Sequence, residues 1–311
     1  MSDHIAHLGI CDDTFRLALV HPRVHPTFKE LMTAHRDIAH LGSVTRSADM
    51  WSADVIDWAR GQLQEGSATE AAGRKPDPLA RQKLAFVLGS LTHRSADRLT
   101  KPITRCWGSG DDLGEAGGDA NESKILQDIF VFREVYGSGT GQLTDPFTEA
   151  TLKPTVSEGQ AALEETFRVL LRRALIAMHT LRPDWDDIHN WLTALLKGLQ
   201  TFPKSLDQYA RLAAEWDQAK VKKYLIDKNF YCREDPAILA ARHIQHGSTV
   251  TAEQVLEALA ATDRTHSRYA RALAKATDYL LAAGELFDGR IDVEQAKERF
   301  DVGVPELSLK D

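Results

Sequence analysis

The chain has 311 residues, 43% hydrophobic and 27% charged, with a formal net charge of -7 at pH 7. That balance supplies a sizeable core and excludes a disordered chain. The acidic excess argues against binding to a nucleic-acid duplex, which depends on neutralising phosphates.

Cys11, Cys106 and Cys232 are widely spaced and odd in number, so they form neither a disulfide framework nor a paired metal motif and fit a reducing compartment. The residues up to His7 show neither the basic stretch nor the apolar stretch of a secretory signal. No run approaches the roughly 18 apolar residues of a membrane span. The expectation is a cytoplasmic protein without a transmembrane segment.

Helical periodicity dominates and strand alternation is hard to find. A first helix runs from about Asp3 to Val20. His21-Pro22 and His25-Pro26 interrupt it, because a residue before proline is pushed out of the α region, and this turn should present two exposed imidazoles. Thr27 with Glu30 has the capping-box pattern for a second helix to about His40, ended by Gly42. A third helix starts at Ser47 or Asp49 and passes through Trp51, Val55 and Trp58. The stretch from Gly61 to Pro78 reads as a loop. The fourth helix, from about Leu79 to Leu99, is the most hydrophobic of the first half and is closed by Lys101-Pro102. Residues 108–120 are rich in glycine and acidic side chains and read as a flexible loop or lid. A fifth helix spans about Asn121 to Tyr136.

A turn-rich stretch at 137–156 is the candidate boundary between residues 1–136 and a helical extension over 157–311, unless the chain forms one continuous domain. Amphipathic runs cover about Ser157–Thr180, Trp185–Gln200, Ser205–Leu225, Pro236–His246 and Thr251–Leu281. The segment Thr249 to Glu253 carries a capping signal, and the tail after Phe300 reads as irregular. No repeat period stands out. The fold class is therefore all-α, a multi-helix bundle of about ten helices without a substantial sheet.

One constellation can carry chemistry. On the fourth helix, Phe86, Gly89, Ser90, His93, Ala96 and Asp97 recur at three- and four-residue spacing and share a face. His93 and Asp97, four apart, can reach one ion, and their small neighbours leave room for a metal, a water or an adjoining helix. Zinc needs about four ligands in all. The first half offers further candidates in His7, Asp12, Asp13, His35, Asp37, His40, Asp49, Glu122 and Asp128.

The order of these segments resembles the zinc-dependent phospholipase C family. Ala6-His7 on the first helix, the stretch Leu41-Gly42 to Asp49, and the helix Phe86-x-x-Gly89-x-x-x-His93-x-x-x-Asp97-x-x-x-x-Pro102 carry the resemblance, which covers residues 4–135. It implies an all-α fold with His7, Asp49, His93 and Asp97 as metal ligands. The chain departs from that pattern in three places. Lys101 stands where a histidine is usual, Gly118 stands four residues before Glu122 where the family has a His-x-x-x-Glu pair, and no histidine lies between Trp51 and Arg81. One or two zinc ions fit this set better than a three-ion cluster.

The expected activity is a metal-dependent hydrolysis of small-molecule or lipid phosphoesters, with Asp49, Glu122 or Asp128 as the free carboxylate that serves as base. The alternatives are an iron-dependent enzyme of oxygen chemistry and a non-catalytic helical binding protein whose His93–Asp97 pair is structural. The second half would shape substrate access or make a homo-oligomer.

Other groupings have plainer readings. Arg172-Arg173 and Lys220 to Lys223 fit solvated helix faces. The acids between Asp184 and Asp187 suit a helix N-terminus, and His243 and His246 suit a last turn. The tryptophans read as core anchors, and Gly137 to Gly141 as a linker.

Overall fold

A computed structural model describes residues 4–44, 51–63, 77–105, 116–136, 212 and 217–304. Among the described residues there are eleven α-helices and no strand, so the chain is all-α as its periodicity predicts. No helix of the described residues is long and apolar enough to cross a membrane.

Helix α1 (His4–Val20) lies inside the fold rather than on it. Ile5, Leu8, Ile10, Cys11, Phe15 and Leu17 are all buried, so its apolar positions run round the whole helix. The expected second helix is two, α2 (Pro26–Ala34) and α3 (Arg36–Ser43). His35 between them leaves helical geometry at φ -131 and ψ 40, yet its N–H still reaches Leu31 O at 2.9 Å and its carbonyl still accepts from Ala39 N at 3.1 Å. The corner therefore forfeits little hydrogen bonding.

The cap of α2 is also not the expected one. His25 Nδ1, not Thr27, accepts from the backbone, taking Thr27 N at 3.2 Å, and Pro26 occupies the first turn where its missing N–H costs nothing. The two imidazoles of this turn are not both exposed, because His21 is buried at 3% exposure.

Helix α4 (Ser52–Leu63) follows, and the Ser47 and Asp49 starts lie outside the described residues. Helix α5 (Ala80–Arg105) is the spine of the molecule. Leu84, Phe86, Val87, Leu88, Leu91, Leu99 and Ile103 are buried on every side of it, and even Lys83 is enclosed, its ammonium 2.5 Å from Asp77 Oδ2. Pro102 does not close this helix but sits within it. A proline there loses one backbone bond, a turn before the helix ends.

Helix α6 (Ala116–Val131) begins earlier than Asn121, so residues 116–120 of the expected lid are helical and the rest of it lies outside the described residues. It ends in a π-turn (Phe132–Tyr136). The expected helices over 157–200 and the 137–156 boundary lie outside the described residues.

Helix α7 (Gln218–Tyr224) is capped by Asp217, which accepts from Ala219 N at 2.8 Å, and runs into a 3-10 turn at Ile226–Lys228. Helices α8 (Pro236–Gln245), α9 (Ala252–Ala260), α10 (Arg268–Phe287) and α11 (Val293–Arg299) complete the chain. The single run expected from Thr251 to Leu281 is thus broken. Asp263 turns the chain by accepting from Thr265 N and Oγ1 at 2.7 and 2.6 Å, and Ser267 starts the next helix by accepting from Ala270 N.

Helices α5 and α10 pack against each other, and both pack on α1; α3 and α4 lie against α5, and α8 lies against α1. One hydrophobic cluster reaches from Ile5 on α1 to Phe300 just past α11. Polar ties cross the same interface, Arg268 Nη1 to Leu99 O at 3.1 Å and Tyr269 Oη to Asp13 Oδ2 at 2.9 Å.

Candidate metal centre

Helices α1 and α5 cross so that His7 comes opposite His93 and Asp97. One ligand atom from each of the three lies within 4.8 Å of the others. His7 Nε2 is 3.2 Å from Asp97 Oδ1, and His93 Nε2 is 3.5 Å from Asp97 Oδ2. The two imidazole rings stack with centroids 4.5 Å apart. The three side chains therefore converge from two helices, with His7 86 positions before His93, a juxtaposition local spacing cannot reveal.

The second nitrogen of His93 is also committed. Its Nδ1 lies 2.8 Å from the carbonyl of Ser43 at the end of α3, buried from water. A carbonyl only accepts, so Nδ1 carries a proton, and Nε2 is the ring nitrogen turned toward His7 and Asp97. This is the orienting partner a metal-ligating histidine requires.

The contact is placed by glycine. Gly42 on α3 and Gly89 on α5 meet so closely that a Cβ on Gly42 would stand 2.0 Å from Phe86 O, and one on Gly89 1.8 Å from Ala39 O. The small residues on this face of α5 thus admit an adjoining helix, and that helix delivers the Ser43 carbonyl. On the same face Ser90 Oγ meets Ser52 Oγ of α4 at 3.0 Å.

Asp97 has a third neighbour. Lys101 Nζ lies 3.1 Å from its Oδ2. Burial would raise the Asp97 carboxyl, but the two imidazoles beside it overcome that and hold it well below the ordinary carboxylate range. Asp97 is ionised at neutral pH and available as a donor.

The remaining candidates lie elsewhere. Asp128, fully buried on α6, accepts from Ala6 N at 2.8 Å and so fixes the first turn of α1 one residue before His7. Glu122 binds Lys220 at 2.6 Å and Tyr224 at 3.3 Å, joining α6 to α7. Asp12 receives His40 at 2.6 Å, Arg36 at 2.9 Å and Tyr136 at 2.9 Å. Asp13 is held by Arg16, Arg242 and Tyr269. His35 is the corner between α2 and α3. The side chain of Asp37 and the whole of Asp49 lie outside the described residues. Cys11 is no nucleophile, because burial pushes its thiol up to about 12. Of the basic residues at 220–223, Lys222 and Lys223 are exposed as expected, Lys222 pairing with Asp227, whereas Lys220 ties α7 to Glu122.

Sequence reasoning does not find the Ser43 carbonyl, because a backbone acceptor carries no residue signature. The pairing of Lys101 to Asp97 is legible in the sequence from their four-residue spacing on one helix. Comparison with known proteins gives no family match, no similar curated protein and no similar solved structure.

Proposed function

We propose that this protein is a metal-dependent hydrolase of phosphoesters, with one divalent ion held by His7, His93 and Asp97. The observation that carries the reading is the convergence of two imidazoles and an ionised carboxylate within 4.8 Å, with one imidazole already oriented by the Ser43 carbonyl. The donor set fits the group. Two histidines and one carboxylate are a usual catalytic zinc set, which leaves a further position for water or substrate.

The protein's own part is to hold and orient the donors. Ser43 holds the His93 ring by its Nδ1, Asp128 fixes the turn that carries His7, and Asp97 turns Oδ1 to His7 and Oδ2 to His93 and Lys101. A bound zinc ion supplies Lewis acidity and makes water nucleophilic near neutral pH. In the reaction a water oxygen bonds to phosphorus, the P–O ester bond breaks, and the alcohol leaves carrying a proton.

The same donors favour a second reading, because two histidines and one carboxylate also suit ferrous iron in oxygen chemistry. Zinc-loaded protein assayed against chromogenic phosphomonoesters and phosphodiesters separates the two. The reading predicts hydrolysis that a chelator removes, zinc restores, and folded His93→Gln lacks. Activity that needs iron and consumes oxygen moves the assignment to the second reading. Folded protein that hydrolyses neither ester class when loaded with zinc overturns the first.

A further inference from the structure

The corner between α1 and α2 hangs on one residue. His21 N donates to Leu17 O at 2.9 Å and closes the last turn of α1, and His21 O accepts from Val24 N at 3.4 Å. Its imidazole makes a third tie, Nδ1 accepting from Arg23 N at 3.2 Å. Pro22 between them has no N–H to give. The corner seats Val24, 2% exposed, in the core, while Pro22 and Arg23 face solvent.

A backbone N–H only donates, so Nδ1 is bare and the His21 ring neutral while this bond holds. The surroundings favour that form. The ring is buried, and the charges that act on it are Arg23 beside it and Lys29 on α2, both cations. The carboxylates of α10 are engaged elsewhere. Asp288 faces His25 at 3.1 Å, and Asp278 feels Lys275, Arg299 and Arg23. The C-terminal end of α1 attracts a cation, but burial, then Arg23 and Lys29, act the other way and hold the His21 imidazole below its ordinary value of 6.5.

We infer that His21 is a pH-sensitive latch on this corner, closed while Nδ1 is bare and released when acid protonates it. Protonation sets two donors face to face, frees Arg23 N and loosens the seat of Val24. The folded-state value lies below the unfolded one, so the latch's contribution is whole above about pH 6.5 and is lost as the pH falls below it. His25 makes the same kind of bond, Nδ1 accepting from Thr27 N, but has Asp288 as partner for a charged ring. His21, with only cations acting on it, is the one that lets go.

The test uses the full-length protein, wild type beside His21→Asn. An asparagine oxygen accepts from the N–H two residues on at any pH, so this variant keeps the bond and loses the titration. If it does not fold, His21→Ser, whose hydroxyl makes the same bond more weakly, replaces it. Nitrogen-15 NMR of wild type at pH 8 should show His21 Nδ1 bare and Nε2 protonated. Between pH 8 and pH 5 the folded-to-unfolded ratio of wild type, from urea titrations, should fall about fivefold further than that of His21→Asn, the scale of one hydrogen bond. Over the same range hydrogen exchange at the Arg23 amide, corrected for its intrinsic rate, should quicken in wild type and not in the variant. A protonated Nδ1 at pH 8, parallel pH profiles in the two proteins, or Arg23 exchange that responds alike in both overturns the latch.

Discussion

Asp12 and Asp13 are adjacent buried carboxylates on α1, and their surroundings shift them in opposite directions. For Asp12 burial acts upward, but the His40 hydrogen bond and charge, with Arg36 behind them, hold it well below the ordinary range. For Asp13 burial wins over Arg242, Arg16 and Tyr269, and its carboxyl is raised. The folded-state value of Asp12 lies below its unfolded value of ~3.9, so its stabilisation is present above that pH and is lost as the pH falls below it. Asp12→Asn should cost about 2 kcal/mol at pH 7, the loss of hydrogen bonds to a charged group. The deficit should shrink as urea midpoints are taken from pH 6 down to pH 3; a deficit constant across that range contradicts the assignment. Arg242→Ala leaves the enclosed Asp13 carboxylate with Arg16 and Tyr269 alone. Removing one partner of a buried pair costs about 3–5 kcal/mol, and chemical denaturation should show a loss on that scale.

Two glycines separate packing from propensity at the level of helices. Gly89→Ala would drive a Cβ into Ala39 O, so α3 must shift off α5, at an expected cost of about 1–3 kcal/mol. Because α3 also carries the Ser43 carbonyl, the same variant should weaken metal binding about tenfold, as loss of an orienting partner does. Gly284 on α10 offers the contrast. A Cβ there meets His25 Cβ at 3.4 Å, ordinary contact, so Gly284→Ala should stabilise the fold by up to about 1 kcal/mol through helix propensity. Thermal melts of the two variants should move in opposite directions. Capping boxes explain where several helices start. Thr251 with Gln254 and Asp292 with Gln295 each close a reciprocal pair. Thr251 lies inside the capping segment seen in the sequence and Gln254 just beyond it; the second box was legible in the same pattern, although no helix was expected there. Breaks were harder to see. The corner at His35 has neither proline nor glycine to mark it, since it exists to let α3 cross α5. The polar run from Thr262 to Ser267 did carry a turn signal, overridden by the apolar period on either side.

Across the whole molecule, the N- and C-terminal helices share one core, and α10 touches α1, α4, α5 and α11. Tryptophan fluorescence and far-UV circular dichroism should therefore lose signal in a single coincident transition on urea denaturation; two resolved transitions would show that the two halves fold separately. The helical class was legible because periodicity is local. The candidate site was legible only in part. The spacing of His93 and Asp97 is local, whereas the arrival of His7 depends on how α1 crosses α5, and the Ser43 carbonyl depends on a glycine contact between helices. Those long-range placements leave no short pattern in the chain. The central claim is that these crossings build an ion site, and metal content tests it most directly. Equilibrium zinc titration followed by elemental analysis should give one ion per chain in wild type and none in folded His7→Ala or His93→Ala. A well-folded wild type that binds no zinc, or variants that bind it as wild type does, would contradict the account.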